Sequence, residues 1–390
     1  MKRMLKKSAS ADLQLGPNAA FIGTPRSRER LATPALILDV DGLEYNLEVM
    51  MKLCKKAKLA LRPHAKTHKS SRIAKLQIES GAVGICVATL REATAMAEAG
   101  VPGVLLTSPV VGAVKVDAFV GLVGRVPGLM VVVDNPDNVG ALEASLVRSG
   151  KTLTVLVDVD IGMKRTGVPS VAGVLALVRR VQSSAALKFG GIQAYSGRVQ
   201  HITRVTDRTR VYGKQLKQLE AVLDALAKAG ISPGIVSGGG TGTFEIDRRA
   251  GLFTESQCGS YAVMDIEYED VQLFARGANP YETALYVQCM VLSNNYRGSA
   301  TIDGGFKCFH MDGPIPRPAR GAPAGAVYQF YGDEFGKITL ARPKDSLKLG
   351  AKIELVTPHC DPTINLHSYF HCVRGDKLVD IWPVDARGSL

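Results

Sequence analysis

The stretch RPHAKTHKS at 62–70 crowds two histidines, two lysines and an arginine into nine residues, directly after the apolar run 59–61. If this stretch continues a strand, side chains alternate between faces, so Arg62, His64 and Lys66 point the same way. A lysine held among other cations and shielded from water loses its proton more easily, so its pKa falls and its neutral amine can form a Schiff base. The alternative is a solvated basic turn, because lysine-rich strand ends usually lie on the surface.

A glycine-rich stretch later in the chain is suited to binding an anion. SGGGTG at 237–242 includes Gly240 and Thr241, and glycines let successive backbone N–H groups approach an anion without side-chain obstruction. It is not a dinucleotide fingerprint, because that pattern needs glycine at Thr243 and a following helix, which the sequence does not clearly indicate. A tight turn is the alternative. Further backbone and hydroxyl donors follow at Gly259, Ser260 and Tyr261.

Two other side chains follow apolar runs and could reach the same ligand. Arg165 comes shortly after the run 153–159, and Tyr195 directly follows the run 189–194. The arginine either reaches a ligand or is an ordinary surface residue. The tyrosine either stacks on a planar ring or packs against the protein.

His359 and Asp361 form the pattern most typical of a metal site. In an extended segment both side chains project to one face and Cys360 to the other, so an imidazole and a carboxylate converge. This pair suits a divalent ion such as Mn, Mg or Zn. A purely structural role is the alternative, because His-x-Asp is a common short motif.

The elements that must position these residues repeat along the chain. Continuous Val/Ile/Leu runs, each followed by a helical pattern, predict a parallel sheet covered on both faces. Eight such repeats favour a TIM-type (β/α)8 barrel, whose catalytic face is at the carboxyl ends of the strands, where Lys66 lies. The predicted strands are 35–39, 59–61, 83–87, 104–107, 129–133, 153–159, 189–194 and 234–237.

A different pattern begins near residue 278, with short strands separated by Gly, Pro and Asp turns, which predicts a mainly-β domain. We therefore expect three parts: a basic, flexible tail at 1–32, a ligand-binding α/β barrel at 33–277, and a β domain at 278–390 that carries His359 and Asp361. The predicted β-domain strands are 284–292, 297–302, 338–341, 352–356, 368–374 and 377–382.

Composition narrows the class of protein. The net charge is +12, but residues 1–30 carry seven basic and two acidic side chains, and the remainder lacks the aromatic interleaving of a nucleic-acid reader. A small anionic ligand accounts for the charge as well. Seven scattered cysteines without a CxxC pair predict buried thiols and argue against a disulfide framework or a cysteine-rich zinc module. No apolar run reaches the ~18 residues of a membrane helix, and no signal pattern follows the N-terminus, so we expect a cytoplasmic enzyme without nucleic-acid or membrane partners.

Taken together, these motifs resemble the D-threonine aldolase and D-serine dehydratase family, which shares the alanine-racemase-type fold of pyridoxal-phosphate enzymes. The resemblance runs from Thr33 to Gly388. It rests on RPHAKTHK at 62–69, RTGV at 165–168, GIQAYSG at 191–197 with Gln200 and His201, SGGGTG at 237–242, CGSYAVMD at 258–265, HCDPTINLH at 359–367 and WPVDARG at 382–388.

The resemblance implies the role of each barrel residue. Lys66 would be the covalent attachment point of pyridoxal phosphate, with His64 in the same site, Arg165 facing the pyridine nitrogen and Tyr195 near the ring. The phosphate would be held by Gly240, Thr241, Gly259, Ser260 and Tyr261.

The resemblance also implies the reaction. His359 and Asp361 would bind the divalent metal, as on the aldolase side of the family, whereas the dehydratase side usually has cysteine at the position of Asp361. We expect a homodimer that cleaves a D-3-hydroxy amino acid, such as D-threonine or 3-hydroxy-D-aspartate, to glycine and an aldehyde, with Lys66, Tyr195, His359 and Asp361 as catalytic residues. Dehydration, racemisation and non-catalytic binding of pyridoxal phosphate remain alternatives. The family usually has Asp-Glu-His-Gly in the β domain, whereas this chain has Phe335 at the histidine position.

Overall fold

The structure, a computed structural model, describes residues 15–342 and 344–388 and divides into two compact units. The β unit comprises the residues up to Asn46 together with 262–267 and 282–384. The barrel unit comprises 47–261, 268–281 and the residues from Asp385 onward. Residues 33–46 and 262–267, expected in the barrel domain, thus belong to the β unit.

The described residues contain strands and helices with the following bounds. The strands are β1 Ala35–Asp39, β2 Ala60–Leu61, β3 Ile85–Val87, β4 Val104–Leu106, β5 Met130–Val133, β6 Leu153–Val159, β7 Leu187–Ala194, β8 Ile235–Gly238, β9 Glu255–Ser256, β10 Leu285–Ser293, β11 Ser299–Ile302, β12 Arg317–Arg320, β13 Val327–Phe330, β14 Gly336–Thr339, β15 Lys352–Val356, β16 Tyr369–Arg374 and β17 Lys377–Pro383. The α-helices are α1 Val40–Ala57, α2 Ser71–Glu79, α3 Leu90–Glu98, α4 Ala113–Leu122, α5 Pro136–Arg148, α6 Val171–Gln182, α7 Val205–Lys228, α8 Phe244–Ala250, α9 Ile266–Glu269 and α10 Cys360–Ile364.

The barrel unit is built on one parallel sheet of eight strands in the order β2-β9-β8-β7-β6-β5-β4-β3. A parallel bridge between His64 and Cys86 joins the chain just beyond β2 to β3 and closes the ring. Strands such as β5 are buried along their whole length, as expected when both faces are covered. The predicted TIM-type (β/α)8 barrel is confirmed.

One predicted barrel strand belongs to the other sheet. β1 pairs antiparallel with β10 and parallel with β16, so its apolar residues are buried in the middle of the β-unit sheet. The eighth barrel strand is instead β9, which pairs with β2 and β8. The apolar pattern does not reveal β9, because it contains only Glu255 and Ser256.

The β unit contains a mixed sheet in the order β13-β14-β11-β10-β1-β16-β17, with β15 pairing to β10 and β12. Six of its strands match the predicted positions within a few residues. The prediction misses β12 and β13, and the sequence of β12, Arg-Pro-Ala-Arg, is mostly exposed and has no apolar alternation. Its proline is compatible with an edge strand.

The predicted flexible tail is wrong for residues 15–32, while residues 1–14 lie outside the described part of the chain. Short 3₁₀ turns span Pro17–Phe21 and Ser27–Arg30. Arg28 is 5% exposed and donates to both carboxylate oxygens of Glu354 at 2.7 Å. A buried arginine and carboxylate stabilise each other only when both are fixed, so this segment is part of the β unit.

All seven cysteines are buried free thiols, as predicted. Within 15–342 and 344–388, no helix combines the length and the apolar character needed to cross a membrane.

Candidate active site

The barrel unit has a cavity of about 310 Å³ at the carboxyl ends of its strands. Four residues singled out from the sequence lie in its wall, namely His64, Lys66, Arg165 and Tyr195. The remaining lining residues are Ala88, Thr107, Ser108, Thr166, Gln193 and Gln257. The structure therefore brings together side chains that are separated by more than a hundred residues of sequence.

Lys66 is presented by a turn, and the predicted extended conformation is wrong here. β2 ends at Leu61, and the backbone N–H groups of His68 and Lys69 donate to the carbonyl of Ala65 at 3.2 and 2.7 Å. The N–H of Ala65 donates in turn to Cys86 of β3 at 2.8 Å. The turn is thus fixed to the barrel wall one residue before Lys66.

The basic neighbours of Lys66 have other roles than the one predicted from their proximity. Arg62 donates to both oxygens of Glu255 at 2.8 and 2.9 Å and to the carbonyl of Gly103 at 2.5 Å. Gly103 immediately precedes β4, so the Arg62 side chain points to the amino ends of the strands, away from the catalytic face. Lys69 forms an ion pair with the buried carboxylate of Glu92. Their charges are compensated, so they do not explain a nucleophilic Lys66.

His64 is held by hydrogen bonds on both ring nitrogens. Its Nδ1 accepts from the backbone N–H of Lys66 at 3.3 Å, and its Nε2 lies 3.1 Å from Thr107 Oγ1. The Thr107 hydroxyl donates to the carbonyl of Val87 at 3.0 Å, so it accepts from His64. This chain of bonds assigns the proton of the neutral imidazole to Nε2.

A buried polar network that sequence reasoning missed forms part of the cavity wall. Asp158, at the end of β6, accepts from Gln193 Nε2 at 3.0 Å and from Thr166 Oγ1 at 2.8 Å. Gln257 Nε2 donates to Gln193 Oε1 at 3.1 Å and to Ser237 Oγ at 2.9 Å. Burial raises the pKa of Asp158 to about 6, although the hydrogen bonds from Gln193 and Thr166 oppose the shift. The signal in the sequence was a lone aspartate in the apolar run LTVLVDV.

Arg165 and Tyr195 form one side of the cavity. The guanidinium carbon of Arg165 lies 5.6 Å from the centroid of the Tyr195 ring, within the range of a cation–π contact. Arg165 is exposed and Tyr195 is half-buried, so both are accessible to a ligand that enters the cavity.

The glycine-rich stretch forms a compact loop that leads directly into α8, a helix the sequence did not indicate. A Cβ at Gly242 would lie 2.1 Å from the carbonyl oxygen of Gln200, so only glycine fits the close approach of the two backbones. Gly242 N–H donates to Gln200 Oε1 at 3.0 Å, and Gly240 N–H donates to Thr243 Oγ1 at 3.0 Å. The Thr243 hydroxyl donates to buried Asp247 at 2.8 Å, which further fixes the loop.

The segment 259–261 links this loop to the Lys66 turn. Thr241 Oγ1 accepts from the N–H of Tyr261 at 3.1 Å, and a Cβ at Gly259 would lie 2.5 Å from Thr67 Oγ1. The Tyr261 phenol is fully buried and accepts from Gln77 at 3.3 Å, so its hydroxyl is directed away from this loop. A cradle of small residues therefore lies beside the turn that carries the amine. The Lys66 amine and the adjacent cradle of small residues together fit a planar aldehyde that bears a phosphate group.

The predicted metal pair lies in the β unit, and its local conformation differs from the prediction. His359 is extended, but residues 360–364 form the short helix α10, so His359 and Asp361 do not lie on one face of a strand. His359 Nδ1 lies 3.1 Å from Asp312 Oδ2 and 3.7 Å from Glu267 Oε2. Sequence reasoning missed these two carboxylates because they come from distant segments without a recognisable motif.

The donor types around His359 suit a divalent ion. Burial raises the pKa of Glu267; His359 opposes this shift, and the negative charges of Asp265, Asp312 and Asp361 add to it. An imidazole among carboxylates fits an ion of hard to borderline character. Within the described residues, no three His, Cys, Asp or Glu side chains are arranged to hold a metal.

Phe335, which stands at the family's histidine position, is 43% exposed in the turn before β14. It lines a cavity of about 250 Å³ in the β unit together with Asp303, Lys307 and Cys308. Its ring cannot transfer a proton.

Comparisons with known proteins identify the family of the chain. Residues 38–266 match the family described as alanine racemase, N-terminal domain, and residues 284–373 match the putative serine dehydratase domain. D-threonine aldolase of Arthrobacter sp is 36% identical over 95% of this chain and 96% of its own length. 3-Hydroxy-D-aspartate aldolase of Paracoccus denitrificans (strain Pd 1222) is 35% identical over 92% of this chain and 93% of its own. The crystal structure of D-threonine aldolase from Filomicrobium marinum superposes with a TM-score of 0.88, at 35% identity, over 93% of this chain and 97% of that one.

The matches extend along nearly the whole chain, so they include both the barrel cavity and the His359 segment. The chain is therefore an enzyme, a lyase of the pyridoxal-phosphate-dependent class. It belongs to the alanine racemase N-terminal-domain family, within which it is similar to the D-threonine and 3-hydroxy-D-aspartate aldolases.

Proposed function

We propose that this protein uses pyridoxal phosphate and a divalent metal to cleave a D-3-hydroxy amino acid, of the D-threonine or 3-hydroxy-D-aspartate type, to glycine and an aldehyde. The observation that carries the proposal is the convergence of Lys66, His64, Arg165 and Tyr195 in one cavity. A primary amine, an aromatic ring, a guanidinium and a nearby cradle of small residues are complementary to a phosphorylated aromatic aldehyde. The two aldolase relatives support the choice of the bond that breaks.

Each barrel residue has a defined part in holding the cofactor. Lys66 Nζ would be the attachment point, with Tyr195 near the ring and Arg165 toward the ring nitrogen. The phosphate would lie against Gly240, Thr241, Gly259, Ser260 and Tyr261. The cofactor, when bound, supplies an electron sink for the pair released at Cα when a bond to that carbon breaks. Because a guanidinium keeps its own protons, Arg165 would not transfer a proton to the ring nitrogen.

Two buried polar groups of the cavity wall fix the orientation of the residues beside them. His64 is fixed as the Nε2–H tautomer between the Lys66 peptide and Thr107, so it offers no proton of its own at Nδ1. Asp158 places its charge behind Gln193 and near Arg165, which favours the cationic side chain at the cavity wall. These groups orient Lys66 and Arg165.

The β unit provides the donors for the metal. His359 and Asp361 are the proposed ligands, and Asp312 at His359 Nδ1 fixes the imidazole orientation, as carboxylates commonly do for metal-binding histidines. A divalent ion there supplies Lewis-acid chemistry that lowers the pKa of a coordinated hydroxyl. The proposal extends to a homodimer, which the family resemblance implies and sedimentation analysis will test, and to a cytoplasmic location, which cell fractionation will test.

A second candidate is dehydration of the same class of substrate to a keto acid and ammonia. The match of residues 284–373 to the serine dehydratase domain favours it. Asp361 at the metal position favours cleavage instead, because the dehydratase side of the family usually has cysteine there.

The test is product identification with purified protein supplied with pyridoxal phosphate and Mn²⁺. D-threonine, 3-hydroxy-D-aspartate and D-serine are incubated separately, with L-threonine as the stereochemical control. Glycine and an aldehyde are expected from the first two substrates, and a chelator should abolish their release until metal is restored. Ammonia and a keto acid would establish dehydration, and loss of optical activity alone would establish racemisation.

Two lysine variants separate catalysis from simple cofactor binding. Lys66→Ala should lose both the visible absorption of bound pyridoxal phosphate and product formation, while Lys75→Ala, an exposed lysine of α2, should keep both. A wild-type protein that binds the cofactor but converts none of the substrates would contradict the proposed reaction.

A further inference from the structure

The C-terminal residues 385–388, which end the WPVDARG motif, contact the segment that follows Lys66. Asp385 Oδ1 accepts from the backbone N–H of Ser71 at 2.9 Å, and its Oδ2 accepts from the Ser71 hydroxyl. Ala386 N–H donates to the carbonyl of Lys69 at 3.0 Å. The C-terminal segment therefore contacts the chain three to five residues after the proposed attachment point.

Arg91 of α3 holds the same C-terminal segment from its other side. Its Nη2 donates to the carbonyl of Asp385 at 3.2 Å, and its Nε donates to the carbonyl of Arg387 at 3.4 Å. Residues 385–387 are thus fixed by backbone and side-chain bonds to both α2 and α3. We call this set of contacts the C-terminal clasp, consisting of Asp385, Ala386, Arg387 and Arg91.

The clasp lies where the Lys66 turn needs support. Lys69 closes the turn with φ of 48°, in the left-handed region that non-glycine residues rarely adopt. Such a conformation persists only when surrounding contacts over-determine it. Here the Lys69 N–H bonds to Ala65, its side chain pairs with Glu92, and its carbonyl bonds to Ala386.

The negative charge of Asp385 also suits its position. Ser71 is the first residue of α2, where backbone N–H groups have no partner within the helix and the helix dipole favours an anion. Ser70, the residue before the helix, makes no side-chain capping bond, so the cap comes from Asp385, more than three hundred residues away.

We propose that the C-terminal clasp is a positioning element for Lys66: Asp385 and Ala386 hold the left-handed end of the turn, and thereby keep the Lys66 amine aimed into the barrel cavity. The inference rests on the proposed attachment of pyridoxal phosphate to Lys66 but not on which substrate bond breaks. Asp385 acts through Lys69 and Ser71, so it is a positioning residue and not a catalytic one.

The experiment measures the attachment directly. Purified protein stripped of cofactor is mixed with excess pyridoxal phosphate, reduced with borohydride at timed intervals and digested. Mass spectrometry then gives the rate at which the Lys66 peptide becomes modified. Asp385→Ala should lower this rate, and kcat, by roughly tenfold with a smaller change in KM, since small displacements of a reacting group have large rate effects.

Companion variants separate positioning from general stability. Arg91→Met removes the second anchor of the clasp without touching the N-terminus of α2, and should also slow Lys66 modification. Asp385→Asn retains an oxygen acceptor for the Ser71 N–H and should restore most of the rate. Asp376→Ala, an exposed aspartate between β16 and β17, is the matched control and should behave as wild type. Thermal unfolding of each variant is recorded in parallel.

The outcomes are decisive in both directions. Slow modification in both Asp385→Ala and Arg91→Met, with the rate restored in Asp385→Asn, supports the clasp. Wild-type modification of Lys66 in either Asp385→Ala or Arg91→Met overturns it, even if the melting temperature falls. If wild-type Lys66 is modified efficiently but no glycine is released, the proposed reaction is contradicted. The variants alone then decide whether the clasp is supported.

Discussion

Replacement of Arg62 by methionine should destabilise the barrel unit while leaving Lys66 chemistry nearly intact. Arg62 is 6% exposed and Glu255 is 3% exposed, and they are joined by two hydrogen bonds of 2.8 and 2.9 Å. The variant leaves Glu255 buried without its counter-charge and the Gly103 carbonyl without the Arg62 donor. Breaking such a buried pair costs about 3–5 kcal/mol of the free energy of unfolding.

The corresponding fall in melting temperature is roughly 6–10 °C for a cooperative unit of this size. The assay is thermal unfolding by circular dichroism, with borohydride trapping at Lys66 measured well below the transition. The double variant Arg62→Met/Glu255→Leu should recover most of the stability, because the pair is then replaced by apolar groups. Arg148→Met is the control: its partner Asp117 and Arg148 itself are 57% and 64% exposed, so the loss should be at most about 1 kcal/mol.

The opposite result would refute the structural role assigned to Arg62. If Arg62→Met melts as wild type but traps little cofactor at Lys66, then the arginine acts on the amine through its charge. The direction of its side chain, toward the Gly103 loop that precedes β4, argues for stability instead.

Three further predictions concern the site. Asp158→Asn should be more stable than wild type at pH 8 by up to about 3 kcal/mol of unfolding free energy, because folding raises the pKa of Asp158 from its unfolded value to about 6. A carboxyl group shifted in this direction makes the folded protein less stable as pH rises between those two values. The difference in urea unfolding should vanish near pH 4, and a constant difference would contradict this assignment. Gly242→Ala should lower the affinity for pyridoxal phosphate by at least about tenfold in a fluorescence titration, because the alanine Cβ would lie 2.1 Å from the Gln200 carbonyl oxygen. Gly213→Ala is the control and should leave the affinity unchanged, because the space around a Cβ at that position is open. His359→Ala and Asp361→Ala should each weaken Mn²⁺ binding, measured by calorimetry, by roughly 10–100-fold. Neither variant should change borohydride trapping of the cofactor at Lys66. Tight stoichiometric Mn²⁺ binding in both variants would exclude the proposed ligands.

The sequence predicted the barrel because its evidence is local and repeated. Continuous apolar strands, each followed by a helix, recur from β3 to β8, and the position of Lys66 after an apolar run placed it on the catalytic face. The physical reason offered for its reactivity was wrong, since Arg62 and Lys69 are each committed to a buried carboxylate. These carboxylates lie 193 residues from Arg62 and 23 residues from Lys69, so a local sequence pattern cannot predict the pairing.

Long-range contacts also account for the other differences. β9 is two polar residues long, and only pairing with β2 and β8 makes it a strand. Asp312 and Glu267 carry no motif and meet His359 only after folding. Asp158 could have been noticed as a charge in an apolar run, but its partner Gln193 lies on the next strand.

The membership of β1 in the sheet of the β unit has a consequence for synthesis of the chain. β1 emerges from the ribosome early, yet its partners β10 and β16 begin only at Leu285 and Tyr369. At roughly 5–20 residues per second, the apolar strand Ala-Leu-Ile-Leu waits on the order of 15–65 s for its second neighbour. The barrel strands are complete by Ser256 and can fold in that interval. The nascent protein thus has to protect an unpaired edge of β1 until β16 has been synthesised.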